Sequence, residues 1–282
     1  MPGTLFVVAT PIGNLEDITV RALRVLREVA VIAAEDTRRT AQLLARYAIP
    51  TPTMSFHQHN ESTKTASLVA RLARGDDIAL VSDAGTPAIS DPGQRLIRAV
   101  IDAGLQVEPI PGPSAVITAL AASGLPSDTF IFLGFPPTRS NDRTKWFELL
   151  PNVGHTVVFF EAPHRIRETL EQLRFILGDI SIVVCRELTK THEELVNGPI
   201  SSILAHLSDP KGEFTIVIGI GQTTKVVGRA PISDADMVAE FGHITVNDRL
   251  SRRRAVNALA RKHRRSPNEV YAAIERGKKL VE

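Results

Sequence analysis

Short apolar runs alternate with longer amphipathic stretches along the first 110 residues of the chain. The runs are rich in Val, Ile, Leu and Ala, and they cover residues 4–9, 29–34, 77–82 and 107–110. The amphipathic stretches lie between them, at 19–28, 38–47, 62–74 and 92–103. Strands buried on both faces of a parallel sheet have such runs, and amphipathic helices cover such a sheet. The pattern therefore predicts an α/β domain with a mostly parallel sheet.

A cluster of Gly, Pro, Ser and Asp at 121–129 interrupts this pattern in the way a linker does. Strand-like apolar runs then resume, at 129–135, 155–161, 181–188 and 214–221. Helical patterns fall between them, at 141–150, 164–177 and 199–207. We therefore predict a second α/β domain, and the pattern leaves the order of its strands open.

The last part of the chain has a different pattern. Residues 231–282 contain no strand-like run, and helical patterns cover 251–263 and 266–278. Ser266 is typical of the start of a helix, and Gly277 of its end. The chain is thus expected to hold an N-terminal α/β domain at 1–122, a second α/β domain at 123–228 and a basic helical domain at 229–282.

Composition excludes several classes of protein. The chain has 282 residues, of which 43% are hydrophobic and 23% charged, a balance typical of globular rather than disordered or fibrous proteins. It has no apolar run of about 18 residues, so we expect no membrane span, and its first residues lack the basic start of a signal peptide. Cys185 is the single cysteine, so no internal disulfide can form and we expect a cytoplasmic protein.

Charge is unevenly distributed along the chain. The net charge is only +2, but residues 231–282 hold 11 Lys and Arg against 7 Asp and Glu. All charged residues between 249 and 265 are basic, and we expect them to contact RNA phosphates: Arg249, Arg252, Arg253, Arg254, Arg261, Lys262, Arg264 and Arg265. The same run also fits the solvated face of an ordinary helix, an alternative that charge alone leaves open.

Loops that follow predicted strands carry the candidate chemistry, because ligands of open α/β sheets bind beyond the carboxyl ends of the strands. Their sequences are ATPIGNLEDIT (9–19), AEDTRRT (34–40), SDAGTPAISDPG (82–93), PIPGPSAV (109–116) and FFEAPHRI (159–166). The third gives the strongest signal, since its small residues let the backbone approach a ligand and a plain connection would be shorter. Ordinary turn chemistry explains the first loop at least as well as a function does.

Common nucleotide and metal motifs are absent from the sequence. It contains no G-x-x-x-x-G-K-[ST] phosphate loop, no G-x-G-x-x-G after a strand and no H-E-x-x-H. His57 and His59 lie close together without a cysteine or acidic ligand at zinc spacing, so we expect no metal site.

The five loops, with SGLP (123–126) and RELTKTHEE (186–194), resemble in their order the tetrapyrrole-methylase-like class of S-adenosylmethionine enzymes. Within that class they are similar to the bacterial family of small-subunit ribosomal RNA methyltransferases, which methylate the 2′-oxygen of a cytidine ribose in the decoding region of 16S ribosomal RNA. The resemblance covers residues 4 to about 222. It implies two α/β domains with S-adenosylmethionine in the cleft between them, and a homodimer.

The resemblance also implies which residues line the cofactor pocket. They are small and polar residues of the loops: Pro11, Asp83, Ala84, Gly85, Thr86, Pro111, Gly112, Ser114, Ala115, Ala162 and Pro163. The missing phosphate loop agrees with this cofactor, because S-adenosylmethionine has no phosphate. Carboxylates and carbonyl oxygens suit its polar ends, and Ala and Pro suit its adenine.

The sequence identifies the residues near the methyl acceptor less clearly than those of the cofactor pocket. A ribose hydroxyl is a poor nucleophile that a nearby base would activate, and four carboxylates at strand ends stay open as that base: Glu35, Asp36, Glu161 and Glu187. Our hypothesis is that four residues lie close to the acceptor and act in catalysis: Asp36, Arg38, Glu187 and Lys190.

Two other functions are compatible with the sequence. One is a non-catalytic, RNA-binding ribosome-assembly factor that keeps a methylase fold. The other is a methylase of the same fold that acts on a small molecule such as a corrinoid, or on a protein histidine. TPIGNL (10–15) stands where tetrapyrrole enzymes usually carry a Gly-Pro-Gly-Asp loop, which argues against a tetrapyrrole substrate. The expected partner is 16S ribosomal RNA or the small ribosomal subunit.

Overall fold

The computed structural model describes residues 1–207, 211–220, 233–246, 252, 255, 256, 259, 260 and 267–279. The chain divides into two compact units, Met1–Gln222 and Thr223–Glu282. The larger unit contains two sheets, and the described part of the smaller unit is helical.

Five parallel strands form the first sheet, in the order β3-β2-β4-β1-β5. They are β1 (Thr4–Val8), β2 (Val31–Ala34), β3 (Thr53–Ser55), β4 (Ile78–Val81) and β5 (Gln106–Ile110). Strands β2 and β4 are apolar and buried along their whole length, as expected in the middle of a sheet covered on both faces. Because the strands run in one direction, the loops that follow them emerge at one edge of the sheet.

Helices pack on both faces of the first sheet. Side chains of α1 (Val20–Glu28) and α2 (Thr37–Arg46) meet one face, and those of α3 (Glu61–Ala73) and α4 (Gln94–Asp102) meet the other. These helices and four of the strands confirm the sequence prediction. Strand β3 was not predicted, because its three half-buried residues contain no apolar run.

The second sheet is mixed, in the order β6-β7-β10-β8-β9. Its strands are β6 (Phe130–Phe132), β7 (Thr156–Glu161), β8 (Ser181–Arg186), β9 (Glu194–Pro199) and β10 (Phe214–Gly219). Strands β6 and β7 pair in parallel, and the other neighbours are antiparallel. The sequence predicts four of these strands and misses β9, a mostly exposed edge strand that contains Gly and Pro.

The two faces of the second sheet are covered from different parts of the chain. Helices α6 (Ser140–Leu149), α7 (Ile166–Leu177) and α8 (Ile200–His206), all predicted, pack on one face. Helix α5 (Ala115–Ser123), which follows the first sheet, packs on the other face. The division expected at 122/123 falls in the last turn of α5, and the domain boundaries stay a prediction.

The smaller unit contains α9 (Asp234–Val246) and α10 (Pro267–Lys279). Its core is built from apolar residues of these helices and of the described residues between them: Met237, Phe241, Ala255, Val256, Leu259, Ala260, Val270, Ala273 and Ile274. Within the helix predicted at 251–263, residues 252, 255, 256, 259 and 260 are helical, and the rest of that prediction lies outside the described residues. The sequence pattern did not predict α9, whose apolar residues form no narrow stripe.

Gly277 does not end its helix, contrary to the sequence prediction. Helix α10 continues to Lys279, and a Cβ atom at Gly277 would collide with the backbone of Asp234 in α9. The glycine therefore permits the close approach of the two helices rather than terminating one of them.

Candidate functional site

The loops after β1 and β4 are joined at the carboxyl edge of the first sheet. The N–H of Thr10 donates to the carbonyl oxygen of Gly85 (2.9 Å), and the N–H of Gly85 donates back to the carbonyl of Thr10 (3.0 Å). Gly85 has a φ of 79°, and Ala88 and Ser90 also have positive φ, of 68° and 64°. Strained backbone of this kind collects at ligand sites, because the surrounding structure must hold it in place.

A first cavity of about 430 Å³ opens at this edge, between these loops and the ends of second-sheet strands. Its volume lies in the range of small-molecule sites. Small and apolar residues form most of its described lining: Ile12, Ala84, Gly85, Ile89, Ala115, Val116, Phe135, Phe160, Ala162, Pro163, Leu188 and Phe214. Hydroxyls are contributed by Thr86, Ser90, Ser114 and Thr215.

The charged part of this lining is acidic. It includes the acidic residues Glu35, Asp83, Asp91, Glu161 and Glu213. Arg39 is the one cationic side chain among the described lining residues. Burial raises the pKa of Glu35, although a hydrogen bond from the N–H of Asp83 (3.3 Å) opposes this shift. Burial also raises the pKa of Asp91 to about 6, against a hydrogen bond from Ser82. Such a lining suits a ligand that joins positive charge to an apolar ring.

A second cavity of about 350 Å³ adjoins the first. The two share five lining residues: Ile12, Arg39, Asp83, Ala84 and Glu213. The rest of its described lining comes from the loop after β1, from α2, from the end of β4 and from a lysine between β8 and β9: Thr10, Pro11, Gly13, Leu15, Thr40, Gln42, Leu43, Ser82 and Lys190. The two cavities therefore share one wall.

The residues predicted for the cofactor pocket fall mostly in the first cavity. Eight of them line it: Asp83, Ala84, Gly85, Thr86, Ser114, Ala115, Ala162 and Pro163. Pro11 lines the second cavity, and Pro111 and Gly112 belong to neither lining as far as the structure describes it. A Cβ atom at Gly112 would lie 3.0 Å from the Cβ of Ala9, so this glycine lets two loops pack together. The roles of these residues in cofactor binding stay predictions.

Asp36 and Arg38, predicted to lie near the acceptor, are paired with each other at the start of α2. Asp36 accepts from the N–H of Arg38 (2.8 Å) and from the Arg38 guanidinium (2.8 Å). The side-chain hydrogen bond from Arg38 lowers the pKa of Asp36 to about 2. The Arg38 side chain is 88% exposed, and the described lining of neither cavity contains either residue. The structure therefore does not bring this pair into the cavities.

Glu187 and Lys190, the other predicted pair, are joined to Glu213. The Nζ atom of Lys190 contacts Glu187 Oε1 and Glu213 Oε2, both at 2.9 Å. Glu187 Oε1 also accepts from the N–H of Glu213 (2.8 Å), and the N–H of Glu187 donates to the Glu213 carbonyl (3.0 Å). Glu187 and Thr189 have positive φ, of 50° and 66°, so strained backbone also lies on this side.

Hydrogen bonds keep Glu187 and Lys190 charged. Burial alone would raise the pKa of Glu187, but the bonds from Lys190 and the Glu213 backbone outweigh it, and the pKa is lowered. Burial would lower the pKa of Lys190, but its two carboxylate partners outweigh it, and the pKa is raised. Lys190 is therefore a cation at the wall of the second cavity.

Sequence reasoning did not single out Glu213. It precedes β10, so the rule that ligands bind after parallel strands could not find it. The antiparallel pairing of β10 brings its first residue, Phe214, opposite Glu161 at the end of β7 and Arg186 at the end of β8. The start of β10 therefore lies at the same edge as the ends of its neighbours, and no signal in one sequence reveals this order.

Glu161, considered as a base from the sequence, is enclosed in a buried network. Its Oε1 accepts from the N–H of Ala162 (2.8 Å) and contacts Arg165 Nε (3.2 Å). Its Oε2 contacts Arg143 Nη2 (3.3 Å) and accepts a hydrogen bond from the Thr169 hydroxyl. The side chain of Glu161 is 0% exposed and that of Arg143 is 5% exposed. Both carboxylate oxygens of Glu161 are therefore engaged within the protein.

This network supports one wall of the first cavity. Arg165 Nη2 donates to the carbonyl oxygens of Pro136 (2.6 Å) and Pro137 (3.2 Å). Phe135, next to them, lines the cavity and packs on Phe160 with ring centroids 5.4 Å apart. The carboxylate thus connects the end of β7 to the loop that carries Phe135.

Of the basic residues predicted to contact RNA, Arg252 lies among the described ones. Its Nη2 donates to Glu275 (2.6 Å), and its guanidinium lies 5.4 Å from the centre of the Tyr271 ring. Arg252 thus has an acidic partner within its own unit. The predictions for the other seven fall outside the described residues: Arg249, Arg253, Arg254, Arg261, Lys262, Arg264 and Arg265.

No group of three or more His, Cys, Asp or Glu side chains among the described residues is arranged to hold a metal ion. None of the helices in that part of the chain is long and apolar enough to cross a membrane.

Comparison with known proteins identifies relatives over most of the chain. Residues 4–204 match the family described as Tetrapyrrole (Corrin/Porphyrin) Methylases. The chain is 43% identical over 272 residues to "Ribosomal RNA small subunit methyltransferase I" of Synechocystis sp., covering 95% of this chain and 96% of that protein. It is 48% identical over 218 residues to the protein of the same name from Halalkalibacterium halodurans, covering 77% of this chain and 75% of that protein.

The fold is also found among solved structures. A crystal structure of diphthine synthase matches with a TM-score of 0.63 and 15% sequence identity, covering 77% of this chain and 90% of that one. The predicted fold class, two α/β domains of the tetrapyrrole methylase type, is confirmed. The chain therefore belongs to the tetrapyrrole (corrin/porphyrin) methylase family, which uses S-adenosylmethionine as its methyl donor.

Proposed function

We propose that the chain transfers the methyl group of S-adenosylmethionine to the 2′-oxygen of a cytidine ribose in the decoding region of 16S ribosomal RNA. The observation that carries the proposal is the 43% identity, across 95% of the chain, to a protein named for methylation of small-subunit ribosomal RNA. The choice of a cytidine and of its 2′-oxygen rests on the resemblance of the loops to that family.

The first cavity is the proposed site of the cofactor. S-adenosylmethionine carries a sulfonium and an ammonium group, which Glu35, Asp83 and Asp91 suit by charge. Its adenine is a flat apolar ring, which small residues such as Ala115 and Ala162 can approach closely. When bound, the cofactor supplies a methyl group that the sulfonium already activates, so the reaction needs no metal.

The contribution of the protein is then mainly to hold and orient the reactants. The strained loop at 82–93 and the network around Glu161 both contribute to the walls of the first cavity. In ideal cases such positioning lowers a barrier by about 7–11 kcal/mol. A base near the acceptor hydroxyl increases the rate of transfer by a further factor of about 10²–10⁴.

Three further features belong to the proposal. The basic run at 249–265 contacts RNA phosphates, the chain acts as a homodimer, and it acts in the cytoplasm.

Removal of residues 231–282 is expected to weaken binding to small subunits while leaving cofactor affinity unchanged. Binding of the full chain is expected to fall steeply with salt, because phosphate contacts release counterions. Equal affinity of the shortened chain for small subunits would contradict the role of this run.

The test is to incubate the pure chain with radiolabelled S-adenosylmethionine and small ribosomal subunits from cells that lack this activity. Label in an alkali-resistant dinucleotide is the expected result, since a methylated 2′-oxygen cannot attack the adjacent phosphate. Label in protein or in a small molecule would favour a different methylase of the same fold. Absence of both label and cofactor binding would favour a non-catalytic assembly factor.

A further inference from the structure

Glu213 and Asp83 are the two carboxylates that line both cavities in the described part of the chain. If the cofactor occupies the first cavity, an acceptor in the second would meet it at the shared wall. A group that takes a proton from the acceptor must lie at that wall, because proton transfer requires hydrogen-bond contact.

Asp83 is already engaged at this position. Its Oδ1 accepts from the N–H of Asp36 (2.9 Å), and its Oδ2 lies 3.6 Å from Arg39 Nη1. The hydrogen bond fixes Oδ1 against the start of α2, and Arg39 places a cation beside Oδ2. Asp83 is therefore suited to hold charge in place rather than to exchange a proton.

Glu213 has different surroundings. Its Oε2 contacts Lys190 at 2.9 Å, and its side chain is 72% exposed. Glu187 holds its backbone through a bond in each direction, so the residue is anchored while its carboxylate stays accessible. A proton taken by such a group can pass on to solvent.

We propose, on the basis of the proposed function, that Glu213 is the catalytic base of the transfer and that the second cavity receives the acceptor nucleoside. The O–H bond of the acceptor hydroxyl breaks and its proton goes to a carboxylate oxygen of Glu213. The oxygen's electron pair forms the new O–CH₃ bond, and the electrons of the broken S–CH₃ bond remain on sulfur. The 2.9 Å contact with Lys190 holds the Glu213 carboxylate in place beside the second cavity.

The second cavity suits a nucleoside by its size and its polarity. Its volume of about 350 Å³ falls in the range of small-molecule sites. Arg39 and Lys190 are cations in its lining, which suits the phosphates that flank a nucleoside in RNA. Gln42, exposed on α2, offers both a donor and an acceptor to the edge of a base.

The first experiment compares Glu213→Gln with the unaltered chain. Methyl transfer to small subunits is expected to fall by about 100-fold or more, because the amide cannot take a proton. The KM for small subunits and the dissociation constant of S-adenosylmethionine, measured by calorimetry, are expected to stay unchanged. Glu213→Asp is expected to regain part of the rate. Glu148→Gln, on the exposed side of α6, is the matched control and is expected to keep full activity.

The second experiment fills the second cavity. Gln42→Trp places an indole there and is expected to abolish transfer with no change in cofactor affinity. Ala41→Trp, also exposed and one residue earlier on α2, lies in the described lining of neither cavity and is expected to stay active.

Each remaining outcome overturns the inference. Near-normal rates for Glu213→Gln would remove its role as a base, and a matching loss of cofactor affinity would make it a cofactor ligand instead. Normal transfer by Gln42→Trp would mean that the acceptor enters elsewhere. If the unaltered chain binds the cofactor yet methylates no RNA, the proposed function fails first, and this inference fails with it.

Discussion

Glu161 and Glu213 line the same cavity, yet their surroundings are opposite. Glu161 lies at the end of β7 with no exposed side-chain area, and two arginines, a hydroxyl and a backbone N–H occupy its oxygens. Glu213 lies just before β10, largely exposed, with Lys190 bound to its Oε2. A carboxylate whose charge is compensated on every side supports the wall, whereas an accessible carboxylate can exchange a proton.

Because the two carboxylates differ in burial, we expect one to matter mainly for stability and the other mainly for activity. A buried charge contributes to the fold only while its partners remain, because an unpaired charge in the interior is costly. An exposed ion pair contributes little, since water solvates both groups almost as well. Changes around Glu161 should therefore act first on folding, and changes around Glu213 first on the reaction.

The largest effect on stability is expected for Glu161→Ala. It leaves the buried Arg143 and the partly buried Arg165 without their carboxylate, which should lower the free energy of unfolding by about 3–5 kcal/mol. Glu213→Ala should cost about 1 kcal/mol or less. Urea unfolding of the two variants measures both values side by side. Equal losses would show that the two carboxylates are not used differently.

A smaller loss is expected for Gly13→Ala, which presses on the segment that holds Glu213. The added Cβ would lie 2.5 Å from Lys190 Cγ and 2.8 Å from the Leu188 carbonyl oxygen. Relief of this overlap should cost about 1–3 kcal/mol and slow methyl transfer by moving Lys190. Gly198→Ala is the control, because a Cβ there meets nothing within 4 Å. A Gly13→Ala variant as stable and active as this control would contradict the close packing.

Asp91 is half-buried, so its exposure lies between that of Glu161 and that of Glu213. It lies near Glu35, Asp83 and Glu213. Its folded-state pKa of about 6 exceeds the ordinary value, so its contribution to stability is complete below about pH 4 and is lost as pH rises through 6. Asp91→Asn should therefore be more stable than the wild type at pH 8, by about 1 kcal/mol after allowance for partial exposure. The difference should vanish near pH 4, as urea unfolding at both pH values would measure. A variant less stable at pH 8 would reverse this sign.

The smallest effect is expected for an exposed pair away from the cavities. Arg24 and Glu28 form an i,i+4 contact of 2.7 Å on α1, and both side chains are largely exposed. Arg24→Ala should change the free energy of unfolding by about 0.5 kcal/mol or less. Urea unfolding measures this change as well. Arg24→Ala should then show the smallest loss in free energy of unfolding among these variants, and Glu161→Ala the largest. A loss comparable to that of Glu161→Ala would contradict the role assigned to burial.

Much of this fold follows from the sequence, because its strands are apolar and its helices amphipathic. The loop at 82–93 and the segment around Ala162 were found as candidates since both follow buried strands. Strands β3 and β9 were missed, because short or exposed edge strands carry too few apolar residues to form a pattern.

The candidate site was less predictable than the fold. Asp36 and Glu187 both follow strands, and only the three-dimensional arrangement shows that Asp36 pairs with Arg38 while Glu187 anchors Glu213. The position of Glu213 depends on the antiparallel placement of β10 between β7 and β8. Strand order in a mixed sheet is set by packing of the whole unit, so residues near one another at its edge need not share a local pattern.

Helix α5 bears on how the first cavity can open. Residues at its start, Ala115 and Val116, line that cavity, and its buried residues pack against Val158, Val183 and Val217 of the second sheet. Ile12, in the loop after β1, belongs to the same apolar cluster, so a hinge movement that separated the two sheets would have to expose its contacts to water. This apolar cluster therefore restricts changes in the width of the cavity. Ligands are expected to enter and leave through movements of the loops at its opening.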